Sequence, residues 1–185
     1  MAADDDWVRY LAAPALIVSS AAAYATQYLT VEQAQQIMFG PSAGFERRDL
    51  KIDKQTAREI EARSGVRVHV PEQPFWEVRQ NGALTGYFLV DEVIGKHELI
   101  TYAVSLTVAG RVKQIEILEY RENYGYEIRN PAWRAQFAGK GTGDSVKLDV
   151  DIKNISGATL SCRHVTEGVR RLLTTYELLV RASDS

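Results

Sequence analysis

The sequence predicts an α+β fold: a single domain in which an antiparallel sheet of hairpins is covered by a C-terminal amphipathic helix. Three observations carry this expectation. Asn81-Gly82 separates two alternating runs, 75–80 and 84–93, and this dipeptide is the strongest short hairpin signal because both turn positions need φ > 0. A second pair of runs, 99–108 and 112–120, flanks Ala109-Gly110, and Val112, Ile115, Ile117 and Leu118 suggest a half-buried antiparallel pair. Over 161–181, Val165, Val169, Leu172, Leu173, Tyr176, Leu179 and Val180 form one apolar stripe, with Arg163, Glu167, Arg170, Arg171 and Arg181 largely off it. A sheet with one hydrophobic face needs such a cover.

The chain has 185 residues, 45% of them hydrophobic, enough for one sizeable core preceded by an N-terminal extension. Residues 1–25 read as a signal peptide. Their apolar part, 11–25, is rich in small residues, is short for a bilayer span and ends Ala23-Tyr24-Ala25, the small-x-small pattern of a signal-peptidase site. Cleavage there would start the mature chain at Thr26 in an extracytoplasmic or periplasmic compartment; an uncleaved membrane anchor and a buried cytoplasmic helix are the alternatives, because Asp4, Asp5 and Asp6 stand where such a signal carries positive charge. Net charge is −2, and the part after residue 25 is neutral. No basic patch marks a nucleic-acid interface, so nucleic acid is excluded as a partner.

Residues 26–80 read as an N-terminal helical region leading into the sheet. Thr30-Val31-Glu32-Gln33 is a capping box opening a short helix that Gly40-Pro41 ends. A polar helix over 54–63 follows Asp53 as N-cap, with Gly65 just past its end. These two helices are expected to form a mobile or partner-facing region. Residues 81–181 hold the domain itself. Asn130-Pro131 starts a short helix carrying Trp133 and Phe137 one turn apart, and 146–152 reads as a β-like run.

The chemistry concentrates between that run and the last helix, at Ser156-Gly157-Ala158-Thr159. By itself the tetrapeptide also reads as an ordinary turn, with Ser161 as helix N-cap. A helix start presents unpaired N–H groups and the positive end of a dipole, both of which favour an anion. Gly157 permits φ > 0 and a close approach, Ala158 adds little bulk, and Ser156 and Ser161 offer hydroxyls to a phosphate or to the helix end. Cys162 is the only cysteine, so no intramolecular disulfide forms; its position suits either a lowered thiol pKa or a small buried side chain.

The run 154–163, Asn-Ile-Ser-Gly-Ala-Thr-Leu-Ser-Cys-Arg, with the apolar helix behind it, resembles the attachment segment of the FMN-binding domain family. That family includes components of the sodium-pumping NADH:quinone oxidoreductase and of the Rnf electron-transport complex. Phe137-Ala138-Gly139-Lys140 is similar to a second family element, and Glu122 and Gly125 match a third in two positions, the bland reading of Gly125 being a turn. One departure stands out: Lys153 lies three positions before Ser156, where the family usually has an acidic residue, with Asp151 two residues further back.

The resemblance implies FMN joined by a phosphoester to Thr159, with Ser156, Gly157, Ala158, Leu160 and Ser161 around it. It also implies a separate flavin transferase that takes the FMN moiety from FAD, and a donor and an acceptor of electrons, a membrane complex among the candidates. Tyr120, Tyr124, Tyr126 and Trp133 are candidates for the ring surface, and Lys140, Lys153 and Arg163 for charges near it, each equally readable as core or solvated. The expected function is an electron-transfer flavoprotein, not a self-sufficient enzyme; the alternative is an unflavinylated sensor or interaction module. A hydrolase using Ser156 or Thr159 would need a base, and no nucleophile motif surrounds His69, His97 or His164.

Overall fold

A computed structural model describes residues 26–121 and 125–183. The expected signal peptide, Tyr124 and Glu122 lie outside the described residues. The fold is a curled antiparallel sheet in the spatial order β1-β8-β7-β6-β5-β2. Its strands are β1 (Thr26–Gln27), β2 (Gly44–Arg47), β5 (Phe75–Gln80), β6 (Ala83–Ile94), β7 (Leu99–Leu106) and β8 (Val112–Tyr120), while β3 (Leu50–Lys51) and β4 (Glu72–Gln73) form a separate pair. Both predicted hairpins are present, and the Asn81-Gly82 turn has φ of 49° and 79°, as two left-handed turn residues require.

The last helix, α4 (Thr159–Leu179), covers one face of the sheet. Side-chain alternation sends Leu89 of β6, Tyr102 and Val104 of β7 and Ile115 of β8 to that face, where they meet Val165, Val169 and Leu172. The same alternation sends Phe88, Ala103 and Leu118 to the other face, and this face is covered as well. Ala34, Met38 and Phe39 of helix α1 (Val31–Phe39) pack there with Val78. Helix α2 (Lys54–Ser64) lies against α4. The N-terminal helices are therefore integral to the fold, not a mobile or partner-facing region: the sheet has two apolar faces, and the second needs α1 just as the first needs α4.

Helix α4 is tied to the sheet by a buried polar group. Arg171 donates to both carboxylate oxygens of Asp91 at 2.7 and 2.6 Å, and the Tyr102 hydroxyl donates to the same carboxylate. Burial pushes the Asp91 carboxyl above its ordinary range and the Tyr102 phenol well above its own. Removing one partner of such a group leaves a buried charge unpaired, at a cost of about 3–5 kcal/mol.

The expected β-like run at 146–152 is a turn instead. Val146 and Asp149 have φ of 39° and 63°, and only one bridge, Leu148 with Ile152, forms within it. Asp151 supplies the reason. Its carboxylate accepts the N–H groups of Val146 at 3.1 Å and Lys147 at 2.7 Å, which a strand would give to a neighbouring strand. Among the described residues no helix is long and apolar enough to cross a membrane.

Candidate functional site

The segment entering α4 is held before it reaches the motif. Trp133, in helix α3 (Pro131–Arg134), donates its indole N–H to the Lys153 carbonyl at 2.9 Å, and the Lys153 N–H donates to Gln136 Oε1 at 2.7 Å. These two bonds fix the path of the chain at Lys153. Gly157 then takes φ 88°, a conformation that costs a residue with a Cβ, and the space a Cβ would occupy there is open. Ala158 is buried and serves as N-cap, but no side chain caps this helix. The helix begins at Thr159, two residues before the predicted start, so Ser161 is not its cap.

An uncapped start leaves backbone donors without helical partners. The first bond of the ladder runs from the Cys162 N–H to the Ala158 carbonyl at 2.9 Å, and the Ala158 N–H closes the preceding turn on the Ile155 carbonyl at 3.0 Å. The N–H groups of Thr159, Leu160 and Ser161 consequently have no intrahelical acceptor. Three donors at the positive end of a 21-residue helix are the kind of group that favours an anion.

Thr159 is half-buried, and its Oγ1 accepts a hydrogen bond from Asn154 Nδ2 at 3.0 Å. The direction of this bond matters: an esterified oxygen can accept but has no hydrogen to donate, so the contact survives esterification of Thr159. The other amide atom, Asn154 Oδ1, is buried without a hydrogen-bond partner. Among the described residues only one other buried side-chain atom shares that condition, Glu127 Oε2. Both belong to this end of the molecule, since Glu127 is two residues beyond Gly125, which packs against Ser161 and Ala158. Unpartnered acceptors beside free N–H donors suit a ligand with both a phosphate and hydroxyls, which is the polar part of FMN.

Gly125 closes the site from the other side. A Cβ added there would lie 2.5 Å from the Tyr120 hydroxyl, 2.9 Å from Ser161 Oγ and 3.7 Å from Ala158 Cα. Only a glycine lets the chain pass so near the first turn of α4. The structure thus brings the Gly125 element and the attachment motif together, although they are far apart in sequence.

The remaining sequence candidates divide clearly. Ser156, Gly157 and Leu160 are exposed, as are Lys153 and Arg163. Ser161 is buried and its hydroxyl lies 3.0 Å from that of Tyr120, so it braces the helix start against β8. Tyr120 and Trp133 are core residues, whereas Tyr126 is exposed. Lys140 pairs with Asp151 at 3.1 Å and belongs to the turn. Burial pushes the Cys162 thiol above its ordinary value, reinforced by Glu127 and Asp149 and opposed by a hydrogen bond to Ile155, so this is a packed and unreactive side chain. Asn154 and Glu127 escaped the sequence reading as site residues. Asn154 was within reach of it, as a side-chain amide five positions before the candidate hydroxyl.

Among the described residues no group of His, Cys, Asp and Glu could hold a metal ion. Comparison with known proteins agrees with the geometry: residues 95–174, from the turn between β6 and β7 into α4, match the model of the FMN-binding domain. No curated protein matches the chain. Over residues 95–174 the chain is therefore similar to the FMN-binding domain, and this similarity supports FMN as the cofactor.

Proposed function

We propose that this protein is an extracytoplasmic electron carrier whose FMN is joined through its phosphate to the hydroxyl of Thr159. The observation that carries the reading is the setting of that hydroxyl. It stands at the first position of an uncapped helix and is held by an Asn154 donor that an ester oxygen can keep. The bound flavin would supply a ring that takes up and releases electrons. The chain's own contribution is positional. The N–H groups of Thr159, Leu160 and Ser161 hold the phosphate, Asn154 fixes the linking oxygen, and exposed Ser156 and Gly157 leave room for the modifying enzyme.

Attachment needs a separate flavin transferase acting on FAD. The Thr159 oxygen forms its bond to the flavin-side phosphorus as the pyrophosphate bond breaks and AMP leaves, while the hydroxyl proton passes to the transferase. A carrier role suits the surface position of the motif, because an attached flavin stands where a donor or acceptor protein can dock transiently over a small area. Export is supported by the small-residue segment ending at Ala25. Outside the cytoplasm a tether also prevents loss of the flavin by dilution, by holding it at an effective concentration of about millimolar.

The test is co-expression with a flavin transferase, followed by denaturing electrophoresis under ultraviolet light. A fluorescent band is expected for the wild type and for part of the Thr159→Ser protein, and none for Thr159→Ala. Flavin retained by Thr159→Ala after denaturation would remove the assignment. A wild type that stays colourless with an active transferase would favour the interaction-module reading, for which Lys153 in place of an acidic residue is the motivating observation.

A further inference from the structure

Between the end of α2, the turn over 141–147 and the middle of α4 lies a polar cavity of about 530 Å³, within the size range of small-molecule sites. A second cavity, of about 320 Å³, shares Arg63, Thr142 and Thr174 with it and extends it toward the end of α4, so the two form one groove. Its walls are tied together. Thr142 donates to Glu177 at 3.1 Å, while Arg170 donates from Nε to the Ser64 carbonyl at 2.7 Å and from Nη1 to the Val146 carbonyl at 3.1 Å. Two elements besides its own thus fix the orientation of the Arg170 guanidinium.

The charges in the groove do not balance. Among the described residues, Arg170 gives two of its five N–H groups to carbonyls and has no carboxylate partner, and the exposed Lys147 ammonium forms no ion pair. The carboxylates present are engaged elsewhere: Asp144 accepts the Gly141 N–H at 2.8 Å and faces Arg111 at 3.6 Å, and Glu177 pairs with Arg181 at 3.0 Å. Arg63 is paired with Glu59. Two cations therefore lack an anion. A guanidinium held in place with unused donors is the group that grips a phosphate or carboxylate through two parallel bonds.

The hydroxyls define the rest of the ligand. Thr142 and Thr174 give their hydrogens to Glu177 and to the Arg170 carbonyl, so their oxygens are left to accept. A fitting molecule brings hydroxyl donors as well as negative charge. The apolar lining is confined to Ala62, Val146 and Leu173, which does not suit a flavin ring. A phosphomonoester carries a charge of about −2 near neutral pH and matches both cations, whereas a carboxylate leaves one unmatched. We infer that the groove between α2, the 141–147 turn and α4 is a binding site for a small hydroxylated phosphomonoester, held by Arg170 and Lys147. It stands without the attachment reading, because none of these residues belongs to the segment that enters α4.

The probes are glycerol phosphate, inorganic phosphate and uncharged glycerol, titrated into the isotope-labelled chain made without a flavin transferase. Glycerol phosphate is expected to shift the backbone amide resonances of residues 62–65, 141–147 and 170–174 saturably, inorganic phosphate to shift the same set more weakly, and glycerol to shift none. Lys147→Gln, at an exposed position, should weaken glycerol phosphate about threefold, as expected for the loss of one solvent-facing charge. Arg170→Gln should weaken it about tenfold. Because Arg170 also braces three elements, thermal unfolding checks that this variant folds, and Lys147→Gln decides where it does not. Sedimentation with phosphatidic acid vesicles but not with phosphatidylcholine vesicles, reduced in Lys147→Gln, would place the phosphomonoester on a lipid; glycerol phosphate binding without sedimentation places it on a free small molecule. Shifts that do not saturate, that centre on residues 158–161, or that are unchanged by Lys147→Gln would overturn the site.

Discussion

At the scale of single residues, the informative pair is Thr159 with Asn154. A neutral hydrogen bond of this kind contributes about 1 kcal/mol, and its main effect is to hold the hydroxyl in one rotamer for the transferase. Asn154→Ala is expected to slow flavinylation about fivefold, the kinetic equivalent of about 1 kcal/mol. A time course of fluorescence incorporation with purified transferase and FAD checks this; an unchanged rate would show that Asn154 only packs. Thr159 stands out in the sequence as a candidate because hydroxyl, glycine and helix start coincide within four residues, and its place at the first residue of α4 is seen in the structure. The expectation that Ser161 caps the helix fails for a related reason. Serine before an apolar stripe suggests a cap, but the helix extends one half turn further back and turns the Ser161 side chain into the core against Tyr120.

At the scale of elements, the turn at 146–152 shows where pattern reading fails. Alternating Val146, Leu148, Val150 and Ile152 has the period of a strand, yet Asp151 claims two backbone N–H groups and pairs with Lys140. Burial works against ionisation of Asp151, but the Lys147 N–H, Lys140 and Ser145 outweigh it, so its carboxyl sits below the usual aspartate range. The sign follows from linkage. A carboxyl whose pKa is lower in the folded state stabilises the fold above its unfolded pKa, and that stabilisation is lost as pH falls through the folded value. Asp151→Ala is expected to cost about 2 kcal/mol near neutral pH, from two charge-assisted bonds. In urea unfolding, the gap between wild type and variant should narrow steadily as pH is lowered from about 5 toward about 2. A gap independent of pH would assign the loss to packing. The hairpins were legible because their turns have a local chemical signature, whereas a carboxylate capping a turn competes with the strand pattern and is visible only in space.

At the scale of the whole molecule, the sheet has two buried faces, and only one was foreseen. The α4 face is readable from a long stripe at helical spacing. The α1 face is not, because its members Phe88, Ala103 and Leu118 are spread over three strands, and their cover lies some fifty residues earlier in the chain. A fragment beginning at residue 81 would contain the FMN-binding match yet lose Ala34, Met38, Phe39 and Val78 from this second core. Such a fragment is expected to bind a hydrophobic dye and to lack the cooperative thermal transition of the chain beginning at Thr26. A fragment that unfolds cooperatively without dye binding would show that the second core is dispensable. The same architecture anchors the elements around the proposed attachment site, because α4, β8 and the segment through Trp133 all contribute to the first core.

The most direct test is peptide mass spectrometry of the protein co-expressed with its flavin transferase. The peptide spanning 154–163 should carry the mass of one FMN less one water, with fragmentation placing it on Thr159. An unmodified peptide in protein that is nevertheless yellow, or FMN placed on Ser156 or Ser161, would contradict covalent attachment at the first residue of α4.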